Sequence, residues 1–216
     1  MPPETAGVSG RSAATLGVAA VTIVLIAGCM SQSEPRYEPL ADYEQVEPAT
    51  SVAPLNPELS IDADPVQVKQ GAYLVSLLGC GTCHTDGALI GEPDLSRRLA
   101  GSRIGIAYSN PLQNENPGVV FPANLTPDPD TGIGQWTRAD IATAILHGRD
   151  PSGRQQVGVM PWRSYAGLTQ DDLQAITAYL VSLPPVRNAV PDNVAVGQIS
   201  EAPFVHFGVY RSKALR

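Results

Sequence analysis

From Asp86 to Trp136 this chain of 216 residues shows neither a helical period nor a β-run of convincing length or alternation. The stretch is rich in glycine, proline and asparagine, and a connection of that length in a compact domain is rarely idle. It is expected to wrap something, held by the helical segments on either side. Those segments are well marked. Asp64-Pro65 reads as a helix cap followed by proline in the first turn, and Val68, Ala72, Val75 and Leu78 then recur near the helical period, widened by Tyr73, Leu74 and Leu77. A second helix opens at Thr137 with Asp140 at capping-box spacing, carries Ile141, Ala144 and Ile145, and ends at Gly148. A third repeats the device with Thr169 and Asp172, carries Leu173, Ile176, Tyr179, Leu180 and Leu183, and stops at Pro184-Pro185. The expected fold class is all-α, with short helices and long loops. Twenty prolines, twenty glycines and only three phenylalanines agree with a modest core.

The first helical pattern is expected to run straight into Cys80-Gly81-Thr82-Cys83-His84. Two cysteines three positions apart on one turn can each form a thioether with a vinyl group of a haem. The histidine that follows the second then supplies the proximal nitrogen, which is why Cys-x-x-Cys-His reads as covalent attachment of haem c. Other uses of the same residues weigh less. A thioredoxin-like redox pair needs a βαβ context, which is missing. A zinc site needs a fourth ligand. A plain disulfide leaves His84 unexplained. One such motif occurs, so one haem is expected. Pro93 or a neighbour is expected to offer a backbone carbonyl to the other nitrogen of His84.

An electron carrier needs both axial positions of the iron filled, and two candidates lie beyond His84. Met160 sits in Gly158-Val159-Met160-Pro161-Trp162, on a loop between two helices, and it alone of three methionines follows the motif. His147 ends the second helix, where an exposed histidine suits the negative pole of the helix dipole. Met160 is the expected ligand, and a thioether raises the potential relative to a second imidazole. His206, in an aromatic tail, reads as structural or exposed. With Met160 bound, no small-molecule substrate has a place at the iron, which separates a carrier from a haem enzyme or gas sensor. Asp128, Asp130 and Gly132 have a calcium-loop look without the later acidic ligand, so a turn is expected. Trp136 either donates to a haem propionate or packs in the core.

Gly71, Tyr73, the Cys80–His84 motif, the Met160 loop and Tyr179 together resemble a class I cytochrome c. Its N- and C-terminal helices pack together beside the haem, and the methionine loop closes the other face. Asn124-Leu125-Thr126-Pro127-Asp128, Thr131-Gly132-Ile133-Gly134 and Trp136, with Met160-Pro161-Trp162 and Leu183-Pro184-Pro185, are similar to more particular relatives. These are the haem domains of cytochrome subunits serving membrane-bound bacterial alcohol, aldehyde and sugar-acid dehydrogenases. The resemblance covers residues 66–190 and implies a cytochrome c domain there, followed by a tail at 191–216. Those subunits usually carry three haems, and this chain has one motif.

Charge is the most informative part of the composition. The net −7 comes wholly from residues 29–65, where eight carboxylates face only Arg36. No basic stripe exists, so nucleic-acid binding is excluded. Ala13 to Ala27 is apolar apart from Thr15 and Thr22, shorter than the roughly 18–20 residues of a spanning helix, and follows Arg11. Leu25-Ile26-Ala27-Gly28-Cys29 resembles the lipobox of bacterial lipoproteins. That resemblance implies removal of residues 1–28 as a signal peptide, lipidation of Cys29, and export to the outer side of the cytoplasmic membrane. Residues 29–65, acidic and punctuated by Pro35, Pro39, Pro48, Pro54 and Pro57, read as a semi-extended tether. Redox protein partners at the membrane are the expected company, either met in turn or as fellow subunits of a complex.

Overall fold

The computed structural model describes Glu38, residues 52–55 and residues 64–208. Among the described residues, five helices lie in this order: α1 (Pro65–Leu77), α2 (Cys80–His84), α3 (Arg138–His147), α4 (Trp162–Tyr165) and α5 (Gln170–Ser182). With them lie three very short strands, β1 (Gly105–Ala107), β2 (Val119–Val120) and β3 (Phe204–His206), and two 3-10 turns at Ala88–Ile90 and Leu95–Arg97.

The helix starts are set by side-chain oxygens that satisfy otherwise orphaned N–H groups. Asp64 accepts from Val66 N at 2.9 Å. Thr137 and Asp140 form a reciprocal capping box, and Thr169 accepts from Asp172 N at 3.1 Å. α1 does not run into the cysteine motif as expected. It ends at Leu77, and Gly79, with φ 70°, turns the chain before α2 begins. A residue without a Cβ takes that left-handed conformation at no steric cost, which lets the short helix leave the axis of α1.

α1 and α5 cross closely to form the centre of the core. Val68, Ala72, Leu74 and Val75 from α1 meet Leu173, Ala175, Ile176, Tyr179 and Leu180 from α5, with Ile141 and Ile145 of α3 and Leu99 and Ile133 from the long loop. Tyr179 is fully buried. No described helix is long and apolar enough to cross a membrane.

The all-α expectation needs one correction. The strands form a sheet of order β2-β1-β3, with β1 antiparallel to β2 (Ile106 opposite Val120) and parallel to β3 (Ile106 opposite Val205). Strands of two or three residues are too short to show a period of two, and β3 is distant in sequence, so no local pattern announces them. Val194 also bridges to Val119, so the described part of the tail pairs with the same sheet at Val194 and at Phe204–His206. At the other end Val52 is buried and Leu55 bonds to Tyr179, which seats the end of the acidic segment on the helices.

Candidate haem site

α2 carries Cys80, Cys83 and His84 on little more than one helical turn. Both thiols are unbonded and partly exposed. Burial pushes the Cys80 thiol up to about 11, and burial likewise raises Cys83. A redox or nucleophilic cysteine is tuned the other way, toward thiolate, so this pair lacks the signature of a thioredoxin-like site. Among the described residues, no group of three or more His, Cys, Asp and Glu side chains is placed to hold a metal ion. Gly81 between the cysteines is buried under Val52, and a Cβ there would stand 2.8 Å from Val52 Cβ.

His84 Nδ1 lies 2.7 Å from the carbonyl oxygen of Ala123. A carbonyl can only accept, so the proton sits on Nδ1 and the lone pair on Nε2 is left for a metal. Burial lowers the pKa of His84, and the Ala123 bond acts against that shift. Pro93 is not the partner expected from the sequence. Its segment closes on itself instead: Glu92 N donates to Gly87 O and Asp94 N donates to Asp86 O. Ala123 reaches His84 because the loop is stapled on both sides. Ser102 N donates to Pro122 O, Leu125 N donates to Leu99 O, and Gly101 N donates to the carbonyl of His84 itself.

Asn124 is the centre of that staple. It is buried; its amide donates to Val186 O at 2.7 Å and Thr131 Oγ1 at 3.1 Å, and its Oδ1 accepts from Thr126 N and Oγ1. Asn188 continues the network to Ala100 O at 2.7 Å. The motif beginning at Asn124 stood out in the sequence, but its role as the brace behind the histidine did not. A buried asparagine at the start of a proline-containing loop was the available signal. Asp128 takes the expected turn role, its Oδ1 accepting from Asp130 N, Thr131 N and Thr131 Oγ1.

α4 approaches the cysteine turn through Tyr165. Its hydroxyl reaches Leu78 O at 3.4 Å, and burial, with the Cys80 and Cys83 thiols nearby, raises its pKa to about 12. Leu125, Trp136, Leu146 and Leu168 are half-buried and pack against the core, so Trp136 contributes packing. Two thiols on one turn and an imidazole with Nε2 available form a donor set that fits a haem: Cys80 and Cys83 would hold it and His84 would ligate its iron.

Met160 is half-buried on the loop between α3 and α4, its carbonyl accepting from Trp162 N at 2.8 Å. His147 is exposed at the end of α3, and its carbonyl accepts from the Gln155 amide. The structure therefore gathers Cys80, Cys83 and His84 on one element and carries Met160 on another. Cys29 lies outside the described residues.

No protein-family model matches the chain. Among curated proteins it is 35% identical over 133 residues to the cytochrome c subunit of alcohol dehydrogenase (quinone) from Komagataeibacter europaeus, covering 61% of this chain and 25% of that one. It is 32% identical over 132 residues to the gluconate 2-dehydrogenase cytochrome c subunit of Pantoea cypripedii, covering 61% and 26%. It is 35% identical over 111 residues to a diheme cytochrome c-type protein of Cereibacter sphaeroides, covering 51% and 34%. The chain thus spans only a quarter to a third of these relatives. Within that span it is similar to cytochrome c subunits of dehydrogenases and to a diheme cytochrome c-type protein.

Proposed function

We propose that this chain is a one-electron carrier with a single haem c, bound through Cys80 and Cys83 and ligated by His84 and Met160. The observation that carries the reading is the His84–Ala123 bond directly beside two uncharged thiols, because it fixes the tautomer an iron ligand needs. A haem bound there would supply the one-electron couple. The protein's part is to attach it and hold the imidazole in one orientation. Met160 would fill the remaining axial position, leaving no place for a substrate.

Residues 1–28 would be the signal peptide and Cys29 the lipidated first residue of the exported protein, facing the periplasm or cell exterior. Residues 29–51 would be the span between membrane and domain, with Val52 to Leu55 already seated. Redox partners at the membrane would act as donor and acceptor. The relatives named above support a second form of the same reading, in which the chain is a fixed subunit beside a dehydrogenase.

Haem retained through acid-acetone extraction and denaturing gels, and lost with folded protein in a Cys80→Ala, Cys83→Ala double variant, is the expected result. A stable, colourless, cooperatively folding double variant would overturn the reading.

A further inference from the structure

Gly148 closes α3 with φ 61° and is buried. A Cβ built on it would stand 2.6 Å from Trp162 Cδ1, 2.7 Å from Nε1 and 2.8 Å from Cδ2. All three atoms belong to the five-membered ring, so that edge of the indole rests on the glycine backbone. The Trp162 Nε1 is buried and has no hydrogen-bond acceptor among the described residues. No hydrogen bond of the indole holds the ring against the glycine; close packing does.

The other limb of the Met160 loop ends on the same residue. Gln156 N donates to Gly148 O at 2.7 Å, and the Gln155 side-chain amide donates to the carbonyls of His147 and Gly148, each at 2.9 Å. Between the limbs the turn is tight: Trp162 N donates to Met160 O and Ser164 N to Pro161 O, both at 2.8 Å. The Arg163 guanidinium lies 4.3 Å from the Trp162 ring centroid, and its Nη1 comes within 3.4 Å of where a Cβ on Gly158 would be. Both ends of the span bearing Met160 are thus secured at one point, Gly148, the cap of α3.

We propose that Gly148 and Trp162 are positioning residues that hold the Met160 sulfur in place, Gly148 as the seat and Trp162 as the wedge. The proposal rests on the reading of Met160 as the sixth ligand. Neither residue touches the iron; both act by setting how often the loop lies closed. The apparent affinity of an outside ligand scales with the open fraction, so loosening the seat is read as easier ligand entry.

The experiment uses the intact holoprotein and probes it with imidazole. Trp162→Ala should weaken the far-red sulfur-to-iron charge-transfer band, lower the reduction potential and raise imidazole affinity by about tenfold or more. Covalent haem content, read as the pyridine haemochrome, should not change. Trp162→Phe, which keeps a flat ring for the glycine, should recover most of the band and potential. Gly148→Ala should act as Trp162→Ala does, and where it fails to accumulate the two tryptophan variants decide. A Trp162→Ala protein with the parental band, potential and imidazole affinity would overturn the positioning role. Met160→Ala separates the two levels: if it alters spectrum and potential while Trp162→Ala does not, only this inference fails. If Met160→Ala changes neither, the ligand reading fails, and the inference with it.

Discussion

The phenol of Tyr179 is joined twice to Leu55, accepting from its N–H at 3.0 Å and donating to its carbonyl at 3.1 Å. Tyr179 is wholly buried in α5, whereas Leu55 belongs to the acidic segment upstream of α1. The pair fastens that segment over Gly81, inside the Cys-x-x-Cys motif, where Val52 makes the contact. Tyr179→Phe should remove both bonds and keep the ring, at a cost of about 1–3 kcal/mol for two hydrogen bonds. Limited proteolysis should then cut near Val52 faster than in the parent. Unchanged cleavage would mean that Val52 alone holds the strap.

Gly71 is the second point where the helices admit no alternative. A Cβ on it would overlap the backbone carbonyl of Ala175 and stand 2.7 Å from Tyr179 Cβ. Backbone cannot swing aside as a side chain can, so Gly71→Ala must move α1 away from α5. The expected loss is at the upper end of the roughly 1–3 kcal/mol typical of overpacking. Denaturant unfolding of the holoprotein checks it, and a change within about 0.5 kcal/mol would show that the crossing is looser than drawn.

What could be read before the structure, and what could not, divides along one line. The caps at Asp64, Thr137 and Thr169, the apolar faces behind them and the Cys80–His84 turn are local, because each rests on residues within a turn or two. The brace behind His84 is not. Ala123 is a bland residue whose carbonyl matters only because Asn124 ties its loop to Thr131 and to Val186, the latter far along the chain. The sheet is missed for the same reason, since Ile106 meets Val205 only after the chain has folded. Even the break at Gly79 was visible in part: a glycine before a motif allows a turn without requiring one.

Asn124 offers the test of that brace. Asn124→Ala removes the donor to Val186 and Thr131 and strands the Thr126 N–H, while the Thr126 hydroxyl keeps Val186 O as an acceptor, in a site where Asn124 is 2% exposed. The stranded buried N–H costs about 1–3 kcal/mol and the lost amide bonds add to it, so a loss of about 3 kcal/mol is expected. Asn124→Asp keeps the acceptor for Thr126 but cannot donate to Val186 or Thr131 and buries a charge, so it should rescue the site only in part. The reduction potential should shift too, because the Ala123 carbonyl no longer fixes the His84 ring. Loss of stability with an unmoved potential would separate the brace from the ligand.

Acid should loosen α3 from its start. Hydrogen bonds from the Thr137 hydroxyl and backbone N–H hold the Asp140 pKa below its ordinary 3.8. A depressed carboxylate contributes stability above the unfolded value, and that stability is lost as pH falls through the folded one. The capping box should therefore open below about pH 4. Asp140→Asn should flatten the acid side of the stability profile, and an acid limb identical in variant and parent would count against the box.

The strap also resets the reach of the proposed tether. Counted from Cys29 to the start of α1, the linker would be 36 residues long; counted to Val52, the first seated residue, it is 23. A flexible chain of that shorter length spans about 25–30 Å on average and at most about 80 Å when extended. A domain on such a lead stays close to the membrane at high effective concentration without new contacts. Cys29→Ala should release or mislocalise the protein while leaving its potential and its reduction by a small soluble reductant unchanged. Deleting residues between Cys29 and Val52 should slow turnover with membrane partners by degrees if the domain visits them in turn. If the chain is a fixed subunit, the same deletions should abolish assembly outright. Tyr179→Phe joins the two tests: by freeing Val52 to Leu55 it should lengthen the lead and offset part of a short deletion. A carrier whose turnover ignores both deletion and release is not working on a tether.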